Sequence, residues 1–145
     1  MMHANAPIKS VLLVADDSEF RATLAESIES LGYLPVDVEN TEQATKVLGL
    51  GKIDILLWDI CDSGYRVNPG FMQWLEHVDP GIPVVCLVDS CCSIEGSAWA
   101  SRAPRRVQVL TKPVSMNALS SAITAMLRPE ARRYWEREGN VHSLA

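Results

Sequence analysis

The stretch VLLVADDSEF, residues 11–20, runs five mostly aliphatic residues into two adjacent carboxylates, Asp16 and Asp17, and then into Ser18, a residue that starts helices. Such an aliphatic run reads as a buried strand. Two touching carboxylates repel each other and resist desolvation, so the pair is tolerable only at a wet edge or around a cation. The rest of the chain decides between these.

Five short apolar runs alternate with helix-like segments: SVLLVA (10–15), LPVDVE (34–39), IDILLW (53–58), PVVCLV (83–88) and RVQVLT (106–111). Alternation of this kind is the pattern of a parallel sheet covered by helices. The first, third and fourth runs are almost wholly aliphatic, as in strands buried on both faces. The second and fifth alternate with polar residues, as edge strands do. The expected strand order is therefore 2-1-3-4-5.

After the first strand, Ser18 is expected to cap a helix with Phe20, Leu24, Ile28 and Leu31 at helical spacing, stopped by Gly32. A shorter helix starts at Asn40 or Thr41, turns Ala44, Val47 and Leu48 inward, and ends around residues 49–51. The turn-rich DICDSGYRVNPG (59–70) leads into a helix carrying Phe71, Trp74, Leu75 and Val78 that stops at DPG (79–81). Segment 90–103 holds Ile94, Ala98 and Trp99 among glycine and serines, a weaker helical pattern. Residues 115–127 place Leu119, Ile123, Met126 and Leu127 on one side of a last helix.

A chain of 145 residues holds one domain with a sizeable core. The expected division is an extension over 1–8, a domain over 9–127 and a partly helical extension over 128–145. Thirteen Lys and Arg against eighteen Asp and Glu leave a net charge of -5, which argues against non-specific nucleic-acid binding. MMHANAPIKS (1–10) has no apolar core of signal-peptide length, and no apolar run approaches the roughly 20 residues of a membrane helix. The expected setting is the cytoplasm, away from membranes. Cys61, Cys86, Cys91 and Cys92 are then reduced thiols, not a disulfide framework.

In a parallel α/β sheet the C-terminal ends of neighbouring strands share one edge, where ligands gather. Asp16 and Asp17 follow strand one, Asp59 ends strand three, and Lys112, followed by Pro113, ends strand five. The expected order brings all four to that edge. Three clustered acids favour a hard divalent cation with oxygen ligands, and Mg²⁺, which keeps several waters, suits so open a site. A carboxylate there can also accept a phosphoryl group, because a metal and a lysine neutralise the charge on the transferred oxygens.

VLLVADDS, ILLWDI and LTKP, in this order and at strand ends, resemble the receiver domain of two-component response regulators over residues 9 to about 127. The resemblance implies a flavodoxin-like (βα)5 receiver fold, CheY-like. It implies Asp59 as the phospho-acceptor, Asp17 as a direct Mg²⁺ ligand, Asp16 as a ligand mainly through water, and Lys112 as partner of the acceptor or its phosphate. Cys61, two residues after the acceptor, would give the metal its backbone carbonyl. It further implies a sensor histidine kinase or phosphotransfer protein upstream and a protein target downstream, in a switch that is not a metabolic enzyme.

The chain departs from the family's pattern at both switch positions. Val88 ends strand four where receivers carry Thr or Ser, and valine is nearly isosteric with threonine but has no donor. Val109 stands where an aromatic residue is expected, three before the lysine. The loop after Asp59 lacks the family's proline and is lengthened, and Asp62 and Asp89 add acids near the site. Ser90 is a weak substitute for the missing hydroxyl.

The alternatives have their own residue patterns. A pseudo-receiver, an interaction module independent of phosphorylation, is motivated by Val88 and Val109. An aspartyl-phosphate phosphohydrolase of the haloacid-dehalogenase kind needs DxDxT, whereas DICDS spaces its acids one residue too far apart. Adjacent Cys91 and Cys92 make no zinc spacing, and His3, His77 and His142 belong to no nucleophile–base arrangement. Trp58, Trp74 and Trp99 read as packing residues. In the tail, Tyr134 and Trp135 offer a surface for a partner or a second copy of the chain, while no helix-turn-helix fits.

Overall fold

The structure, a computed structural model, describes residues 7–60, 69–89 and 107–128. Cys61, Asp62, Ser90, Cys91, Cys92, the segment 90–103, His3, His142 and the tail with Tyr134 and Trp135 lie outside the described residues.

The described elements follow in the order β1 (Ser10–Val14), α1 (Ser18–Ser30), β2 (Leu34–Val38), α2 (Thr41–Leu48), β3 (Ile55–Asp59), α3 (Pro69–Val78), β4 (Val84–Val88), β5 (Val107–Thr111) and α4 (Met116–Leu127). The five strands form one sheet in the order β2-β1-β3-β4-β5, and every pairing is parallel. The third strand begins at Ile55, not at Ile53.

Burial explains the order. β3 and β4 are buried throughout, and β1 from Val11 onward, whereas β2 and β5 are partly open. Side chains alternate between the faces of a strand, so each aliphatic run feeds two cores. Leu12, Val14, Leu56, Trp58, Val84, Cys86 and Val88 pack toward α2 and α3, against Ala44, Leu48, Phe71 and Leu75. Val11, Leu13, Ile55, Leu57, Val85 and Leu87 meet Leu24, Ile28, Leu119 and Ile123 of α1 and α4. Trp58 is thereby placed in the core, its ring edge-on to Phe71 at 5.1 Å, and Phe71 stacks on Trp74 at 6.1 Å.

The helix ends refine the sequence reading. Asp17, not Ser18, caps α1: its Oδ1 accepts from the backbone N–H of Glu19 and of Phe20, each at 3.0 Å, and Ser18 is the first helical residue. A carboxylate is also the better match for the positive end of the helix dipole. Asn40 caps α2 through Gln43 N–H, and Ser115 caps α4 through Ala118 N–H. Gly32 takes φ +97° beyond the end of α1, a left-handed turn that glycine adopts without strain. Val78, expected inward, is 46% exposed: it is the last residue of α3, one turn beyond Trp74 and past the buried Leu75.

Candidate functional site at the C-terminal edge of the sheet

Asp59 is the last residue of β3, and among the described residues it is the one buried charged or polar side chain. β1 and β4 flank β3, so the loops leaving those neighbours deliver Asp16, Asp17 and Asp89 to the same edge. β5 ends one strand further on, and the backbone N–H of Lys112 donates to the Val88 carbonyl at 2.7 Å.

From there the Lys112 side chain reaches back across β4. Its Nζ lies 2.6 Å from Asp59 Oδ1 and 3.5 Å from Asp89 Oδ1. The aliphatic and aromatic surroundings include the Phe20 ring, whose centroid is 4.5 Å from the ammonium, within the range of a cation–π contact. Phe20 reads in the sequence as a core residue of α1; its second role depends on the first turn of α1 facing the edge of the sheet.

Burial pushes the Asp59 carboxyl above the usual carboxylate range. The contact with Lys112 and its positive charge pull the other way, and the negative charges of Asp16 and Asp89 push further up. Burial prevails, and separately from that shift three acids, Asp16, Asp59 and Asp89, are set around one ammonium. Such a site favours whatever brings positive charge to it.

Asp16 and Asp17 are both exposed. Asp16 is close enough for its charge to act on Asp59, while Asp17 commits one oxygen to the cap of α1. Arg21, one turn into α1, fastens this acidic turn: its Nη1 donates to the Ala15 carbonyl at 2.8 Å and its Nε faces Asp37 Oδ2 of β2 at 3.5 Å. No pattern in the sequence marks Arg21 for that contact. Among the described residues no three His, Cys, Asp or Glu side chains are grouped closely enough to hold a metal ion by themselves. The donor set is nonetheless one of hard carboxylate oxygens with surplus negative charge, which fits an ion that completes its shell with water, as Mg²⁺ does.

The two switch positions differ in surroundings. Val88 is buried at the end of β4, whereas Val109 is 38% exposed on the edge strand β5. A cavity lined by Thr41, Glu42, Thr45, Gly70, Phe71 and Trp74 lies on the α2 and α3 side, and includes none of the residues gathered around Asp59. No helix of the described residues is long and apolar enough to cross a membrane.

The sequence matches no family model and no curated protein. The fold matches many solved structures. A response regulator receiver domain protein from Clostridium thermocellum superimposes with a TM-score of 0.73 at 16% identity, covering 83% of this chain and 94% of that one. A response regulator receiver protein from Sinorhizobium medicae gives 0.71 at 21% identity, over 86% and 97% of the two chains. The response regulator TrrA from Thermotoga maritima, in complex with Mg²⁺ and BeF, gives 0.69 at 22% identity, over 83% and 100%. The chain therefore has the CheY-like, flavodoxin-like fold of response regulator receiver domains.

Proposed function

We propose that the chain is a receiver domain of a two-component response regulator in which Asp59 accepts a phosphoryl group. The observation that carries this reading is the pairing of a buried carboxylate at the end of β3 with the Lys112 ammonium at 2.6 Å. An Asp59 oxygen attacks phosphorus, the bond from phosphorus to the donor's leaving oxygen or nitrogen breaks, and the leaving group departs with the electron pair. Lys112 faces the oxygens on which negative charge remains. Mg²⁺, held by Asp16, Asp17, Asp59 and the Cys61 carbonyl, would supply the further positive charge such a transfer needs.

The donor is a sensor histidine kinase or phosphotransfer protein, or a small acyl phosphate, and the receiver of the signal is a downstream protein. The domain works as a switch: the modified state needs to favour one conformation by only a few kcal/mol to shift the population usefully. Val88 lacks the hydroxyl and Val109 the aromatic ring of the usual relay, so the readout departs from the standard one. The same two residues favour the second reading, a pseudo-receiver that binds its partner irrespective of phosphorylation.

Incubation with acetyl phosphate and MgCl₂, followed by intact mass, tests the proposal. The expected result is a gain of one phosphoryl group on the wild type and none on Asp59→Asn. If both remain unmodified, and beryllofluoride perturbs neither, the pseudo-receiver reading replaces it. Turnover of small phosphate esters would instead support the phosphohydrolase.

A further inference from the structure

Two carboxylates contest the Lys112 ammonium. Asp59, at 2.6 Å, has a side chain only 1% exposed, whereas Asp89, at 3.5 Å, has one 37% exposed. The ammonium thus stands between a buried acid and a solvated one. The backbone fixes this arrangement, because Lys112 N–H donates to the carbonyl of Val88, the residue directly before Asp89. Val88 itself is buried and carries no donor. The end of β4 therefore brings an acid, and no side-chain donor from the residue before it, to a site that has to receive an anion.

We propose that Asp89 is a positioning residue for Lys112 and a built-in competitor of the phosphoryl group: it draws the ammonium toward the mouth of the site and sets a fixed negative charge beside the place where phosphoryl oxygens collect. The inference rests on the reading of Asp59 as acceptor. Modification of Asp59 adds negative charge within reach of the same ammonium. Lys112 carries one positive charge, so its interaction with the incoming oxygens grows at the expense of its pairing with Asp89. The acid consequently weakens retention of the phosphoryl group and makes the modified state depend more heavily on Mg²⁺. An asparagine at this position would keep shape and hydrogen-bonding capacity while removing the charge. For a partly exposed pair, one charge is worth about a two- to fivefold change in equilibrium.

The test is a titration of the full chain with beryllofluoride in the presence of MgCl₂, followed by intrinsic tryptophan fluorescence, Trp58 being the residue next to Asp59. Wild type, Asp89→Asn, Asp89→Glu and Asp59→Asn are compared, each first shown to be folded by a cooperative thermal unfolding transition. The expected result is about two- to fivefold tighter binding by Asp89→Asn, return toward wild-type affinity in Asp89→Glu, no binding by Asp59→Asn, and a smaller gain at high salt. Equal or weaker binding by Asp89→Asn, with the wild type binding, overturns the inference and leaves the acceptor reading standing. Absence of binding by both overturns the acceptor reading and the inference with it. Binding by Asp89→Asn alone supports both.

Discussion

The backbone N–H of Lys112 donates to the carbonyl oxygen of Val88 at 2.7 Å, and this bond carries the β4–β5 pairing one residue past the end of β5. Through it the lysine leaves the edge strand at a level from which its ammonium reaches the last residue of β3. The ion pair at the site is therefore a consequence of sheet register.

Removing the cation should strand the buried acid. Lys112→Met is expected to lower stability at neutral pH by about 1–3 kcal/mol, the cost of a buried polar group that loses its partner. Urea unfolding measures it, and adding Asp59→Asn to the same chain should restore most of the loss.

The sign of the pH dependence at Asp59 follows from its raised pKa. In the folded protein the carboxyl holds its proton above the unfolded value of about 3.8. Its favourable contribution is thus complete below that value and is lost as pH rises through the folded pKa. Relative to wild type, Asp59→Asn should gain stability as pH rises through this window and level off above it. Parallel unfolding curves of the two proteins across the acid range check the direction.

On the proposed function Asp17 has two separable roles, helix cap and Mg²⁺ ligand. Its Oδ1 caps α1 through Glu19 and Phe20 N–H, a function asparagine performs equally well. Asp17→Asn should therefore keep the cap and lose only the charge's small interaction with the helix dipole, a few tenths of a kcal/mol, whereas Asp17→Ala should lose about 1 kcal/mol or more. Both should bind Mg²⁺ more weakly, measured by fluorescence titration. Loss of stability without loss of Mg²⁺ affinity would leave Asp17 a cap and nothing more.

Restoring the missing hydroxyl provides a gain-of-function test. Val88 is 4% exposed, so Val88→Thr buries a hydroxyl and should cost about 1–2 kcal/mol in the unmodified protein. With Mg²⁺ and beryllofluoride bound, the same hydroxyl gains an acceptor, and binding should tighten relative to wild type. Paired thermal unfolding with and without the mimic reads both effects.

Much of this molecule is written locally. Within the runs 10–15, 53–58 and 83–88, the stretches 11–15, 55–58 and 83–88 are uninterrupted by any charged or polar side chain other than a thiol, which is why they read as central strands, and the structure buries them throughout. The first-turn cap shows where local reading stops: Asp17 and Ser18 are both good caps, and only the backbone geometry selects the residue whose oxygen reaches two N–H groups. Val78 has the helical spacing of a core residue, yet it is the last residue of α3 and stands 46% exposed.

Hydrophobic period, charge and strand-end chemistry determined by themselves the sheet order and the gathering of Asp59 and Lys112 at one edge, because burial of an aliphatic run and solvation of an acid are properties of a few consecutive residues. The sharing of one ammonium by Asp59 and Asp89, the Phe20 ring against it, and the Arg21 tie to the Ala15 carbonyl were decided only by the tertiary structure. Each depends on which level of one element meets which level of another. That register is set by packing across the whole sheet, and no single segment encodes it.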